Sequence, residues 1–183
     1  MGKTFQICFF LNQLDDISNY EKQIIKGIFK SLNSSNYELI VKPIFRSNQI
    51  DAIKEVVEKK LADGIIISHT TLNDERVKFL LEKNFPFVTH GRTELFSEHP
   101  YFDNDHADFI NKSLTYLKKK KCEEIIFIKP ANKFTYNYIS MKAFEKKIKE
   151  LKLKSSKNLE FSHEDTLQEL KNKIIKKFSK KNN

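Results

Sequence analysis

Ala62-Asp63-Gly64-Ile65-Ile66-Ile67-Ser68, residues 62–68, is the stretch that decides the fold. Asp63-Gly64 stops a helical segment. The three isoleucines that follow have no polar alternation, so they read as a short strand buried on both faces, as in a parallel sheet covered by helices. The same unit repeats on either side. Residues 5–11 are a continuous apolar, β-prone run; after a polar loop over residues 12–19, Tyr20, Ile24, Ile25, Ile28, Phe29 and Leu32 keep helical spacing. Residues 37–45 read as a second strand interrupted at Pro43, and Ile50, Ile53, Val56, Val57 and Leu61 as the apolar face of a second helix. Downstream of the isoleucines, Asn73 or Asp74 is placed to cap a helix that stops at Asn84. Phe87-Val88-Thr89 is a fourth strand, Tyr101-Phe102 a brief extended piece, and residues 107–117 a helix. This alternation predicts an α/β class, a doubly wound parallel sheet. Ligands on such sheets lie beyond the carboxyl ends of the strands, so residues 12–20, 68–73, 89–94 and 102–107 are expected to face one crevice. After residue 118 a fifth strong strand is expected at 124–128, then a helix over 138–151. A last helix should follow Ser162, which with Asp165 resembles a capping box.

The 183 residues, 39% hydrophobic and 31% charged, fit an ordinary globular chain. No apolar run approaches the roughly 18 residues of a membrane span. Residues 1–4 lack an apolar leader, and Cys8 and Cys122 are the only thiols, so the expectation is a cytoplasmic chain with neither disulfide framework nor membrane partner. Charge is uneven: residues 1–110 hold 13 Lys+Arg against 16 Asp+Glu, and residues 111–183 hold 20 against 8. A basic half of this kind either tracks phosphates or is a solvated helix face. Only Arg46, Arg76 and Arg92 are arginine, and no helix-turn-helix or aromatic stacking motif accompanies the lysines, which favours the solvated face over weak lysine-driven nucleic-acid association.

The stretch at 62–68, the run Asn73-Asp74-Glu75-Arg76-Val77, the string Phe85-Pro86-Phe87-Val88-Thr89-His90-Gly91-Arg92 and the segment His99-Pro100-Tyr101-Phe102-Asp103-Asn104-Asp105 follow one another at family spacing. Together they resemble the effector-binding core of the lactose/galactose repressor (LacI/GalR) family of transcription regulators. Residues 114–120 and 122–128 look like that family's crossover into its second lobe. The resemblance implies a periplasmic-binding-protein-like type I core, with residues 1–117 as the N-terminal lobe and 118–183 as part of the C-terminal lobe. It further implies a sugar or sugar-derived effector held between the lobes, and a homodimer or heterodimer formed through the first lobe. Met1 stands four residues before Phe5, so no DNA-reading headpiece and no direct operator binding are expected of this chain. A truncated sensor is the leading expectation; the alternatives are a stand-alone interaction module or a gene remnant.

Seven residues are candidates for the effector site. Tyr20 lies where the family often has an aromatic, to stack on a sugar or to serve as a core ring. His69 and His90 follow strand ends, as donors to a ligand or as structural residues. Arg92 either forks a hydroxyl pair or carboxylate, or pairs with Asp103 or Asp105. Asp105 aligns with a family acid, accepting hydroxyls or capping the next helix. Tyr136 and Ser140 inherit their positions from the resemblance alone, and Ser140 stands where the family commonly has an Arg, ahead of Ala143-Phe144. No metal site or cofactor is expected, because His and Cys spacings do not supply enough ligands. Gly2-Lys3-Thr4 lacks the strand and glycine of a phosphate loop. Ser97-Glu98-His99 and Ser162-His163-Glu164-Asp165 are neighbours along the chain and do not converge as a catalytic triad must. A non-enzyme is therefore expected.

Overall fold

The computed structural model describes residues 2–12, 19–44, 49–131, 133–155, 158–161 and 165–179. Two compact units divide the chain, residues 1–103 and 104–183. In the first unit, strand β1 (Gln6–Asn12) lies between β2 (Glu38–Ile44) and β3 (Gly64–Ser68), and β4 (Phe87–His90) and β5 (Tyr101–Phe102) extend the sheet in the order β2-β1-β3-β4-β5. Every pairing is parallel. The expected class is therefore the observed one. Helices α1 (Asn19–Leu32), α2 (Gln49–Glu58) and α3 (Glu75–Glu82) alternate with the strands.

The period of two along each strand sorts the apolar side chains between the sheet's faces. Cys8 and Phe10 of β1 and Ile65 and Ile67 of β3 pack with Ile53 and Val56 of α2 and Leu80 of α3 in one core. The alternate residues Ile7, Ile66 and Val88 line an apolar groove of about 670 Å³ beside Ile24 and Ile28 of α1. At the sheet's amino edge, Asp63 accepts hydrogen bonds from Thr4 N at 2.9 Å and Phe5 N at 2.8 Å, tying the chain start to the end of the α2 loop. Asn84 adopts φ +46°, the left-handed stop expected for α3.

The second unit corrects two expectations. Instead of one strong strand at 124–128 there are two short pieces, β6 (Glu124–Ile125) and β7 (Ile128–Pro130), each paired in parallel with a strand not anticipated from sequence, β8 (Lys154–Ser155) and β9 (Leu159–Phe161). The chain breaks the run because Phe127 stacks on Phe144 at 4.9 Å between ring centroids, against the core formed by α4 (His106–Lys119) and α5 (Thr135–Glu150). The last helix, α6 (Leu167–Ser179), is capped by Thr166 and Glu169: Thr166 N donates to Glu169 Oε2 at 2.7 Å and Glu169 N to Thr166 Oγ1 at 3.2 Å. The expected Ser162 lies outside the described residues. Helix α5 begins three residues earlier than the expected 138, because Asn137 Nδ2 donates to Pro130 O at 3.0 Å and anchors the first turn.

Leu80, 0% exposed between α3 and the sheet, tests the first core. Leu80→Ala is expected to lower unfolding free energy by about 2–5 kcal/mol, read from the urea midpoint.

Candidate functional site

Parallel strands in register bring the carboxyl ends of β3, β4 and β5 to one edge of the first unit, and the loops that leave this edge are bound to one another. The starting point is the β3–α3 loop, Thr70-Thr71-Leu72-Asn73-Asp74. Asp74 caps α3, its Oδ1 accepting from Arg76 N at 3.0 Å, while its Oδ2 accepts from Thr71 N at 3.1 Å. The Arg76 guanidinium grips the same carboxylate through Nε at 2.9 Å and Nη2 at 2.7 Å. Nη2 also donates to the carbonyls of Ser68 at 3.3 Å and His69 at 3.1 Å. This pair is buried, with side chains 6% and 3% exposed. Burial alone would push the Asp74 carboxyl up, but its hydrogen bonds from Arg76 and Thr71 and the guanidinium charge hold it below its ordinary value of 3.8. The carbonyls so held belong to the end of β3, where His69 takes the left-handed conformation at φ +56°.

From there the bonding passes to the next loop. Thr70 Oγ1 donates to Arg92 O at 2.9 Å, Glu94 N to Leu72 O at 2.9 Å, and Thr89 Oγ1 to Gly91 O at 2.6 Å. Gly91 N donates to Phe102 O at 2.9 Å, which brings in β5. Gly91 has φ +105°, and a Cβ there would stand 2.5 Å from Thr70 Oγ1, so only glycine fits this crossing.

The platform carries two groups of aromatic and polar side chains. Tyr20 Oη and His90 Nε2 lie 2.7 Å apart, and the His90 ring is 4.9 Å from Phe102. Tyr20 and Phe102 remain about half exposed. Arg92 Nε donates to Asp103 Oδ2 at 3.0 Å, and its guanidinium lies over the Tyr101 ring at 5.4 Å. The arginine side chain is 39% exposed and the aspartate 5%, so a buried carboxylate fixes a cation that solvent still reaches. The first group offers a ring face and a phenol–imidazole pair and the second a fixed guanidinium, chemistry that suits polyhydroxylated ligands.

Of the seven candidates, Tyr20 and His90 meet directly, Arg92 follows His90 by two residues, and His69 leads off from the neighbouring strand. In the second unit Asp105 is the N-cap of α4, its Oδ1 accepting from Asp108 N at 2.8 Å. Tyr136, in the first turn of α5, lies tilted against His106 with ring centroids 5.7 Å apart, and Ser140 lies half-buried on the same helix face one turn on. Sequence reasoning passed over Arg76, Thr70 and Gly91. The rarity of arginine and the Asp-x-Arg spacing at a helix start were the available signals for the first. Among the described residues no group of three or more His, Cys, Asp or Glu could hold a metal ion, and no helix is long and apolar enough to cross a membrane.

Asp74→Asn removes one charge of a buried pair and is expected to cost about 3–5 kcal/mol at neutral pH. A carboxylate with a depressed folded pKa stabilises above its unfolded value and loses that contribution as pH falls through the folded one. Urea titrations should therefore show the gap between wild type and Asp74→Asn closing as pH drops below 3.8. Gly91→Ala, strained in φ and pressed against Thr70, is expected to cost about 1–3 kcal/mol or more in the same titration.

No family model matches the sequence. The HTH-type transcriptional regulator MalR of Streptococcus pneumoniae is 27% identical over 158 residues, which is 86% of this chain and 48% of that protein. The chain thus spans about half the length of the curated relatives it matches. Among solved structures, a LacI-family regulatory protein from Chloroflexus aggregans superposes with a TM-score of 0.82 at 19% identity, covering 96% of this chain and 63% of the other. A probable maltose operon repressor MalR from Staphylococcus gives 0.81 at 18%, covering 90% and 60%. The regulator CelR in its cellobiose complex gives 0.77 at 14%, covering 94% and 57%. These findings agree with the resemblance read from the four sequence segments: this chain carries the α/β fold seen in the LacI-family regulatory protein and is similar in sequence to the MalR transcriptional regulators.

Proposed function

We propose that this chain is the effector-binding part of a LacI-type transcription regulator, a non-catalytic cytoplasmic sensor that takes a sugar or sugar-derived metabolite. The observation that carries this reading is a pair of side-chain groups at the strand ends, Tyr20 with His90 and Phe102, and Arg92 with Asp103. These groups combine half-exposed rings with a guanidinium fixed by a buried carboxylate. The cellobiose in the CelR complex and the maltose operon named for the Staphylococcus neighbour support a saccharide as the ligand class. His69 is proposed to take part from the end of β3, and Asp105, Tyr136 and Ser140 from the second unit. Operator binding is not assigned to these residues, and the lobes are proposed to divide near residue 117. The sensor would act on transcription by binding its effector more tightly in one of two arrangements of the regulator.

A second reading, self-association of this chain through its first unit, is favoured by the apolar groove beside α1 and by the exposed rings of Tyr101 and Phe102 on the edge strand. Sedimentation across a concentration series separates it from a monomeric sensor.

Calorimetric titration with maltose, cellobiose and a panel of sugar acids tests the leading reading. At least one is expected to bind, and Arg92→Ala to weaken that binding by about tenfold or more through loss of a charged hydrogen-bond donor. Absence of binding across the panel, or an unchanged affinity in Arg92→Ala, overturns it.

A further inference from the structure

We propose that Thr70 is a positioning residue for Arg92, holding the effector-facing guanidinium in place from the neighbouring strand end without touching a ligand. The clause about the effector rests on the sensor reading above; the positioning itself does not. Thr70 is 3% exposed, so its hydroxyl is withdrawn from any ligand in solution. That hydroxyl donates to Arg92 O at 2.9 Å across 22 residues of sequence. It fills the space above Gly91, where a Cβ would stand 2.5 Å away, and Gly91 at φ +105° is what lets the chain after β4 turn back to reach it.

Arg92 is therefore held at both ends. Thr70 holds its backbone carbonyl, and Asp103, itself 5% exposed, holds its side chain through Nε at 3.0 Å. A guanidinium has five N–H donors, of which the Nε bond to Asp103 uses one, so others remain for a ligand. Thr70 in turn is placed by its neighbours: Thr71 N bonds to Asp74, and the preceding carbonyl of His69 bonds to the buried Arg76. The chain of contacts runs from a buried ion pair, through one hydroxyl, to an exposed cation. Arg92 depends on each link because a directional guanidinium contact loses its value when its backbone shifts by a fraction of its bond length.

Valine is nearly isosteric with threonine but puts a methyl where the hydroxyl meets Arg92 O, whereas serine keeps the hydroxyl. The chain has three arginines, Arg46, Arg76 and Arg92, so the Nε–Hε signals of isotope-labelled protein are assigned by Arg→Lys exchange. Arg76, locked to Asp74, serves as the internal reference. Thr70→Val is expected to speed solvent exchange at Arg92 Hε by about tenfold while leaving Arg76 Hε unchanged, and Thr70→Ser to keep the wild-type rate. The proposal is overturned if valine leaves Arg92 exchange as it was, if serine behaves as valine does, or if Arg76 loosens to the same degree. Should the valine chain fail to fold, Thr70→Ala removes the same hydroxyl without adding bulk, and the same outcomes decide. Titration with maltose and cellobiose supplies a second readout, in which affinity should fall by about tenfold in Thr70→Val and return in Thr70→Ser. Wild-type protein that binds neither sugar counts against the sensor reading, and the Hε exchange still decides whether Thr70 positions Arg92.

Discussion

Parallel strands in register deliver all their carboxyl ends to one edge, and each loop that leaves that edge must satisfy its backbone groups without a sheet partner. This requirement organises the first unit. The carbonyls of Ser68 and His69 at the end of β3 are met by Arg76, whose charge is in turn met by Asp74, so a cap, an ion pair and two strand-end carbonyls are joined through five hydrogen bonds. A buried ion pair is weak evidence for stability in itself, because desolvation offsets much of the attraction. Its effect here is geometric: it makes the end of β3 rigid enough for Thr70 to brace the loop after β4.

The first unit was largely legible because β1, β2 and β3 contain apolar runs of three or more residues and its helices keep a clear 3.6-residue spacing. Both signals survive without knowledge of the partners. Asp74 and Asn84 likewise announced the two ends of α3 through local chemistry. The second unit was harder. Strands of two or three residues, such as Lys154–Ser155 and Leu159–Phe161, have no period to detect, and lysines beside them look like helix surface. Their existence depends on pairing with β6 and β7, which is information held elsewhere in the chain.

Among the candidate residues, the salt bridge of Arg92 to Asp103 and the capping role of Asp105 were each one of two openings left by the sequence, and the geometry supplies both bonds. Neither excludes a ligand, since a carboxylate has several lone pairs and a guanidinium several N–H groups. The contact between Thr70 and Gly91 was not legible at all. A threonine after a strand and a glycine after another carry no sign that they will meet until the register of β3 against β4 is known.

Burial in the first core also divides the two cysteines chemically. The Cys8 thiol, shut between β1's neighbours and the α2–α3 layer, is pushed up by burial to about 11, with Lys42 pulling weakly the other way, so it stays protonated at neutral pH. Cys122, half-buried just after α4, has no such shelter. An alkylating dye or spin label offered to the folded chain would therefore mark the second unit and spare the first, and attachment at Cys8 would report that the sheet had opened.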